Sequence, residues 1–198
     1  MQAQTTETAP EAPVIRYAYK ASLIGAAHQF ELTEEGLGWR LAGRSGVWPY
    51  ADIAAIRLSY RPVSMQQHRF RADIRHKSGA RLPILSTSWQ TAALMAPQDN
   101  DYRTFMIELH RRMERVGSTA ELTAGLGHRT YLAALALVAL VGVMLLTLFI
   151  RAIAIGEWAG ALFFVGFAAL FGWQVGGFVR RNRPLAYTFD QVPEALLP

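Results

Sequence analysis

Two patterns of hydrophobic positions divide the chain. In roughly the first 85 residues, apolar and polar side chains alternate over short stretches, as where Ile15, Tyr17 and Tyr19 are separated by Arg16 and Ala18. Alternation with a period of two predicts a strand with one buried face. The pattern recurs between turn residues and predicts an antiparallel meander of about seven strands, near residues 15–19, 30–32, 37–41, 47–48, 53–61, 69–77 and 81–85. The segment Gly43 to Gly46 is predicted to form one of the turns.

A helix is predicted to close this strand assembly. Its apolar positions recur every three or four residues before Gly117, and either Asp99 or Asn100 is suited to cap its first turn. The apolar stripe is expected to cover the open end of the sheet. It consists of Tyr102, Phe105, Met106, Leu109, Met113 and Val116.

Apolarity then becomes continuous around two later segments. The runs from Tyr131 to Ile150 and from Trp158 to Val179 contain no charged residue, and Gln174 is the one strongly polar side chain in the second run. About 20 residues of helix span the roughly 30 Å hydrocarbon core of a bilayer. We therefore expect two transmembrane helices, joined by a short external loop at 151–157 into an antiparallel hairpin.

Basic residues predict the orientation of this hairpin, because Lys and Arg near the ends of membrane helices are retained on the cytoplasmic side. One arginine, Arg151, lies in the connecting loop. The other side carries Arg111, Arg112, Arg115, Arg129, Arg180, Arg181 and Arg183. Both termini are thus expected in the cytoplasm.

The remaining segments complete the predicted organisation. Residues 1–13 are rich in Thr, Gln, Glu, Ala and Pro and are expected to be a disordered tail. A cytoplasmic domain at 14–116 is followed by a linker at 117–130 and, after the hairpin, by a tail at 180–198. That tail is interpreted either as an arm packed on the domain or on a partner, or as a loose end.

Within 14–116, the strand meander, the segment WPYADIAAIRL from Trp48 to Leu58 and the closing helix resemble bacterial pleckstrin-homology-like (PH-like) domain families. Many members of these families are fused to transmembrane segments, although the membrane helices often precede the domain. The resemblance implies an α+β fold, a PH-like antiparallel β-barrel or sandwich of about seven strands capped by a C-terminal helix, followed here by the two-helix transmembrane hairpin. It also implies binding or scaffolding at a membrane, which is then expected to be the inner membrane of a bacterial cell.

Charge identifies one candidate binding surface. The chain has a formal net charge of +5, and only two of its basic residues are Lys. Outward-facing basic residues on neighbouring strands would form a patch suited to phosphate or carboxylate, namely Arg57, Arg61, Arg69, Arg71, Arg75, Lys77 and Arg81. The patch is interpreted either as a site for anionic lipid or an acidic protein partner, or as a solvated face that protects an edge strand. No nucleic-acid recognition motif accompanies the charge.

A second candidate surface lies in the second apolar run. Ala168, Gly172 and Gly176 follow one another at four-residue steps, and small residues at this spacing let another helix approach closely. The partner is either the first helix, through Ala139 and Gly142, or another copy of the chain. The sequence thus leaves homo-oligomerisation open.

The sequence shows no reaction signature. The chain has no cysteine, its five histidines lack metal-ligand spacing, and no phosphate-binding loop or nucleophile elbow is present. We expect a protein that is not an enzyme and needs no cofactor or metal. Two functions remain: a membrane-anchored binding or scaffold module, and a structural subunit that assembles with itself or a larger complex through its helices.

Overall fold

The computed structural model describes residues 14–61, 68–91 and 94–198. The predicted disordered tail at 1–13 lies outside the described residues. The chain has an α+β fold with antiparallel sheets and an apolar two-helix hairpin towards its C-terminus. At this level the predicted fold class is confirmed.

The described elements follow one another in chain order. They are β1 (Ile15–Tyr19), β2 (His28–Leu32), β3 (Leu37–Leu41), β4 (Arg44–Trp48), a 3₁₀ turn (Tyr50–Asp52), β5 (Ile53–Tyr60), β6 (Phe70–His76), β7 (Arg81–Leu85), β8 (Thr87–Thr91), β9 (Leu94–Pro97), α1 (Asp99–Arg115), β10 (Glu121–Ala124), α2 (His128–Ala154), α3 (Trp158–Arg181), β11 (Leu185–Ala186) and a 3₁₀ turn (Glu194–Leu196).

Strands β1 to β4 form a four-stranded antiparallel meander in sequence order. Its third connection is tighter than predicted. Ala42 and Gly43 both adopt positive φ angles, 45° and 78°, so they make a two-residue turn and β4 begins at Arg44. The predicted turn from Gly43 to Gly46 is therefore wrong, because a two-residue turn with two left-handed positions matches the twist of the strands that it joins.

The second sheet has five strands in the order β11-β10-β5-β6-β7. Strands β5, β6 and β7 pair antiparallel as neighbours in sequence, whereas β10 returns from beyond α1 to pair parallel with β5. The predicted linker at 117–130 thus contributes a strand, in which Leu122 and Ala124 alternate into the core. A separate hairpin of β8 and β9 follows β7.

The core lies between the two sheets and α1. The predicted helix stripe is buried there, except for Val116, which is exposed just past the helix end. The N-terminus of α1 differs from the predicted capping, because Asp99 is already the first helical residue and Gln98 precedes it without a side-chain cap hydrogen bond. Aromatic side chains link the layers, as where the Tyr17 ring lies 5.6 Å from that of Phe105.

Helices α2 and α3 are longer than the predicted runs, and both are long and apolar enough to cross a membrane. They form an antiparallel pair whose buried side chains are Leu145, Ala152 and Ala161. A Cβ atom built on Gly142, Gly172 or Gly176 would meet no atom of the described residues within 4 Å. The helix pair therefore does not use these glycines for close packing, and Gly172 and Gly176 remain on an open face.

The C-terminal tail packs on the domain. Strand β11 pairs antiparallel with β10, and Leu196 and Leu197 are buried in the core. Further along, Arg103 on α1 donates a hydrogen bond of 3.2 Å to the carbonyl of Pro198. Of the two interpretations of the tail, the arm packed on the domain is the one that the structure has.

Candidate anion-binding groove

The register of the second sheet brings most of the predicted basic patch onto one outer face. Arg57 on β5 lies opposite Asp73 on β6, and Ser59 lies opposite Arg71. Arg75 on β6 lies directly opposite Arg81 on β7. Successive side chains of a strand point to opposite faces, so these odd-numbered positions share the face away from Ile56, Leu58 and Ile74, which are buried.

This face forms the floor of a groove of about 440 Å³. Five of the seven predicted basic residues line it, namely Arg57, Arg61, Arg71, Arg75 and Arg81. One wall is built by β10 and the residues that lead into the hairpin, including Thr123, Gly127 and Thr130. Thr130 belongs to the first turn of α2, so the groove lies at the base of the hairpin.

Two carboxylates partly balance the five guanidinium groups. The Arg71 Nε donates to both oxygens of Asp73 at 2.9 Å, and Arg75 lies 3.7 Å from a Glu121 oxygen. Among the described residues, the hydrogen-bond partner of Arg57 is neutral, the Thr123 hydroxyl at 3.4 Å. In the described part of the chain, Arg57, Arg61 and Arg81 have no carboxylate partner. The groove therefore keeps an excess of positive charge.

The remaining two predicted residues lie outside this groove. Arg69 donates to the Thr87 hydroxyl at 3.0 Å and contacts the Met95 sulfur at 2.8 Å, which ties it to the β8–β9 hairpin. Burial, and then the nearby charge of Arg71, lower the pKa of Arg69. Lys77 lies 3.4 Å from Asp52, beside the 3₁₀ turn that precedes β5. Both side chains thus have structural partners.

A junction fixes the groove relative to the hairpin. Asn182, directly after α3, is fully buried and bonds to the backbone of Tyr60 at the end of β5. Its own carbonyl accepts a 3.0 Å hydrogen bond from Leu126 N–H, just before α2. Gly125 has a φ of 79°, and a Cβ there would lie 2.4 Å from the Arg183 carbonyl. Both ends of the hairpin are therefore held against the same end of the sheet.

The tail adds a second attachment through His110 on α1. His110 Nδ1 lies 2.7 Å from the carbonyl of Met106 and must donate to it, which leaves Nε2 to accept from the Tyr187 hydroxyl at 2.9 Å. Burial lowers the pKa of His110, despite its backbone hydrogen bond. It also raises the pKa of Tyr187. The neutral imidazole is thus the form that holds the tail.

Sequence reasoning missed the wall of the groove. Glu121, Thr123, Gly127 and Thr130 all lie in the segment predicted to be a linker. The signal was present, because Leu122 and Ala124 alternate with Glu121 and Thr123, but four residues are a short run. Nothing in the local sequence indicates that the strand pairs with β5.

A larger furrow of about 760 Å³ crosses the outer face of the first sheet. Arg16, Glu31 and Arg40 line it, and Glu31 lies 3.5 Å from Arg16. Its lining contains no residue of the hairpin, and its charge is more evenly balanced. Across residues 14–61, 68–91 and 94–198, no three His, Asp or Glu side chains are placed to hold a metal ion.

No protein-family model, curated protein or solved structure matches the chain. The fold and the groove are therefore interpreted from their own geometry and chemistry.

Proposed function

We propose that the chain is a membrane-anchored, non-enzymatic binding or scaffold protein whose PH-like cytoplasmic domain recognises anionic lipid headgroups or an acidic protein partner. Its α2–α3 hairpin spans the bacterial inner membrane, and both termini are cytoplasmic. The PH-like assignment is supported by two packed sheets in which β1 to β4 and β5 to β7 pair antiparallel, and by the helix that follows these strands. The membrane location is supported by two long apolar helices in which only three side chains are buried.

One observation carries the binding proposal: the arginine-lined groove shares its wall with the first turn of α2. If α2 enters the bilayer near this turn, the groove lies at headgroup level. Each basic residue near an anionic membrane surface adds roughly 1 kcal/mol of attraction. The first turn of α2 contains no acidic residue that would oppose this attraction.

The proposal is tested with the full chain in nanodiscs that mix phosphatidylcholine and phosphatidylglycerol. Native mass spectrometry then counts the lipids that the released protein retains. The unmodified protein is expected to enrich phosphatidylglycerol several-fold over its share of the disc, and R57Q/R61Q to lose that enrichment. The control R40Q/R44Q makes the same charge change on the first sheet, where both side chains are exposed, and is expected to retain it.

The lipid version is wrong if the unmodified protein shows no enrichment, or if both double variants lose it equally. An acidic protein partner would then be the remaining ligand of the groove. Its signature would be binding of an acidic peptide by the unmodified protein in phosphatidylcholine discs and loss of that binding in R57Q/R61Q.

A structural subunit is the second candidate function. It is favoured by the open face around Gly172 and Gly176, where no atom lies within 4 Å of an added Cβ. Assembly through this face predicts that G172L/G176L abolishes oligomers trapped by crosslinking in native membranes. Unchanged crosslinking in this variant would remove the glycine face from consideration.

A further inference from the structure

We propose that the groove is shaped for a phospholipid whose headgroup ends in a second phosphate, a phosphomonoester. This inference rests on the proposed lipid binding and narrows its ligand class. The phosphodiester of the lipid lies beside Arg57 at the base of α2, and the terminal phosphate lies between Arg75 and Arg81.

The pairing of Arg75 with Arg81 is the first support. Like charges directly opposite one another on antiparallel strands destabilise a sheet. These two arginines are direct partners on β6 and β7. Arg75 has one carboxylate partner, Glu121, which lies 3.7 Å away on β10, across the sheet from β6 beyond Ala55 of β5. Arg81 has no acidic partner within the described ranges. A dianionic phosphate between the two guanidinium groups would relieve this repulsion with charge-assisted hydrogen bonds.

The spacing between cationic positions is the second support. Arg57 lies two strands across and two residues along from Arg81, which corresponds to about 12 Å between their Cα atoms. Because arginine side chains extend well beyond their Cα atoms, the anions that they bind can lie closer together than the Cα atoms, as two phosphates on one glycerol do. Asp73 lies between the two positions, directly opposite Arg57, and its carboxylate is already paired with Arg71.

The position of α2 sets the direction of the ligand. Acyl chains keep the phosphodiester of a lipid at the bilayer surface, and Gly127 and Thr130 mark where the hairpin leaves the groove. Arg57 is the arginine nearest that point, since its Nη1 would lie 3.6 Å from a Cβ on Gly127. Arg81 is farther along the sheet, so only a group at the outer end of the headgroup reaches it. A lipid with both phosphates esterified to diacylglycerol would hold both at the surface.

Phosphatidylglycerol and phosphatidylglycerophosphate form a matched pair of probes, because they differ only in the terminal phosphate. The full chain is placed in phosphatidylcholine nanodiscs that contain equal amounts of both, and retained lipids are counted by native mass spectrometry. We expect phosphatidylglycerophosphate to be preferred by about tenfold, the effect of one strong additional ion contact. R81Q should reduce this preference to about onefold, whereas R57Q should lower retention of both lipids and leave the preference between them in place.

The outcomes separate this inference from the function on which it rests. Equal retention of the two lipids by the unmodified protein, or an unchanged preference in R81Q, overturns the two-phosphate inference while anionic-lipid binding stands. If the unmodified protein enriches neither lipid over phosphatidylcholine, the lipid function itself is wrong. Glycerol 1,3-bisphosphate serves as the soluble arm: if it competes at micromolar concentration, the groove binds free phosphates and the lipid source is wrong. R40Q/R44Q should behave like the unmodified protein in every arm.

Discussion

The carboxamide of Asn182 binds both backbone polar atoms of Tyr60. Its Oδ1 accepts from the Tyr60 N–H at 3.1 Å, and its Nδ2 donates to the Tyr60 carbonyl at 2.9 Å. Both residues are buried, and 122 positions separate them in the chain. The end of the second apolar helix is thereby fixed to the end of β5, the strand that carries Arg57.

Replacing Asn182 with Ala should therefore destabilise the junction. Two hydrogen bonds are lost and the Tyr60 backbone is left buried without these partners, which costs about 2–4 kcal/mol. Thermal unfolding of the full chain in detergent, followed by tryptophan fluorescence, measures the effect. Asn100 is exposed on α1, so N100A is the matched control and should change stability by less than about 0.5 kcal/mol. Equal stability of the two variants would contradict this account of the junction.

Gly125→Ala should be more harmful than Gly117→Ala. Both glycines have left-handed φ angles, 79° and 65°, which cost other residues about 1 kcal/mol. Only at Gly125 would the new Cβ also collide with the backbone of Arg183 and Asn182, whereas nothing lies within 4 Å at Gly117. Thermal unfolding of both variants should thus show an additional loss of at least about 2 kcal/mol for G125A. A difference near zero would mean that the junction can open without cost.

Removing the acidic partner of Arg75 should strengthen anion binding. Glu121→Gln eliminates a negative charge from the groove wall, and we expect retention of phosphatidylglycerol in mixed nanodiscs to rise about threefold. The control is E31Q, which frees Arg16 on the first sheet in the same way. A rise of the same size in E31Q would indicate that net charge, and not the groove, attracts the lipid.

The docking of the tail should weaken in acid. Because burial lowers the pKa of His110 from its ordinary value of 6.5, the unfolded chain takes up the proton first. Stability from this residue is therefore complete above pH 6.5 and falls below it, by up to about 1.4 kcal/mol per pH unit, until the folded state is protonated. Hydrogen-exchange protection factors at residues 185–197, which are corrected for the intrinsic pH dependence of amide exchange, should fall between pH 7 and pH 5.5.

The Glu114 carboxyl has the opposite effect on the docking of the tail, which it strengthens in acid. A hydrogen bond with Asp190 on the tail raises the pKa of Glu114 above 4.5, so this contact strengthens as the pH falls through that raised value. The comparison is therefore made in an E114Q background. In the E114Q background, the protein that keeps His110 should still lose tail protection in acid, and the added H110Q change should abolish this pH dependence. An unchanged pH profile in H110Q would assign the effect to other groups.

The orientation proposed for the hairpin can be read directly, because the chain has no cysteine. A single cysteine at Glu157, between the helices, should react with a membrane-impermeant maleimide in intact cells. A cysteine at Arg44, exposed on the first sheet, should react only after the membrane is permeabilised. The reverse pattern would place the domain outside the cytoplasm.

Local alternation predicts strands at the positions of β1 to β7, although it places the start of β4 too late, because each of these strands pairs with a neighbour in sequence. The alternation is imperfect in β5, where Leu58, Ser59 and Tyr60 are buried in succession. It also placed Arg57, Arg61, Arg71, Arg75 and Arg81 on one face. It could not show that Arg69 turns towards Thr87 or that Lys77 reaches Asp52, since both partners come from separate elements.

Non-local pairing accounts for the rest of what the sequence did not reveal. Strand β10 depends on β5, from which more than 60 residues separate it, as the pairing of Thr123 with Arg57 shows. In the sequence, nothing distinguishes Asn182 from the other polar residues of the tail, and only the structure shows its contact with Tyr60. Prediction was thus strongest where structure is local and weakest at the junction that orients the groove.

Strands β10 and β11 are adjacent, antiparallel and in register, with Ala124 opposite Leu185. Topologically, the whole hairpin occupies the position of the turn between two neighbouring strands of a sheet. The domain is accordingly a closed unit that the apolar helical hairpin interrupts at a single turn, and the chain leaves and re-enters the sheet at neighbouring strands. Joining Ala124 to Leu185 through a short turn would preserve the strand order and remove the hairpin.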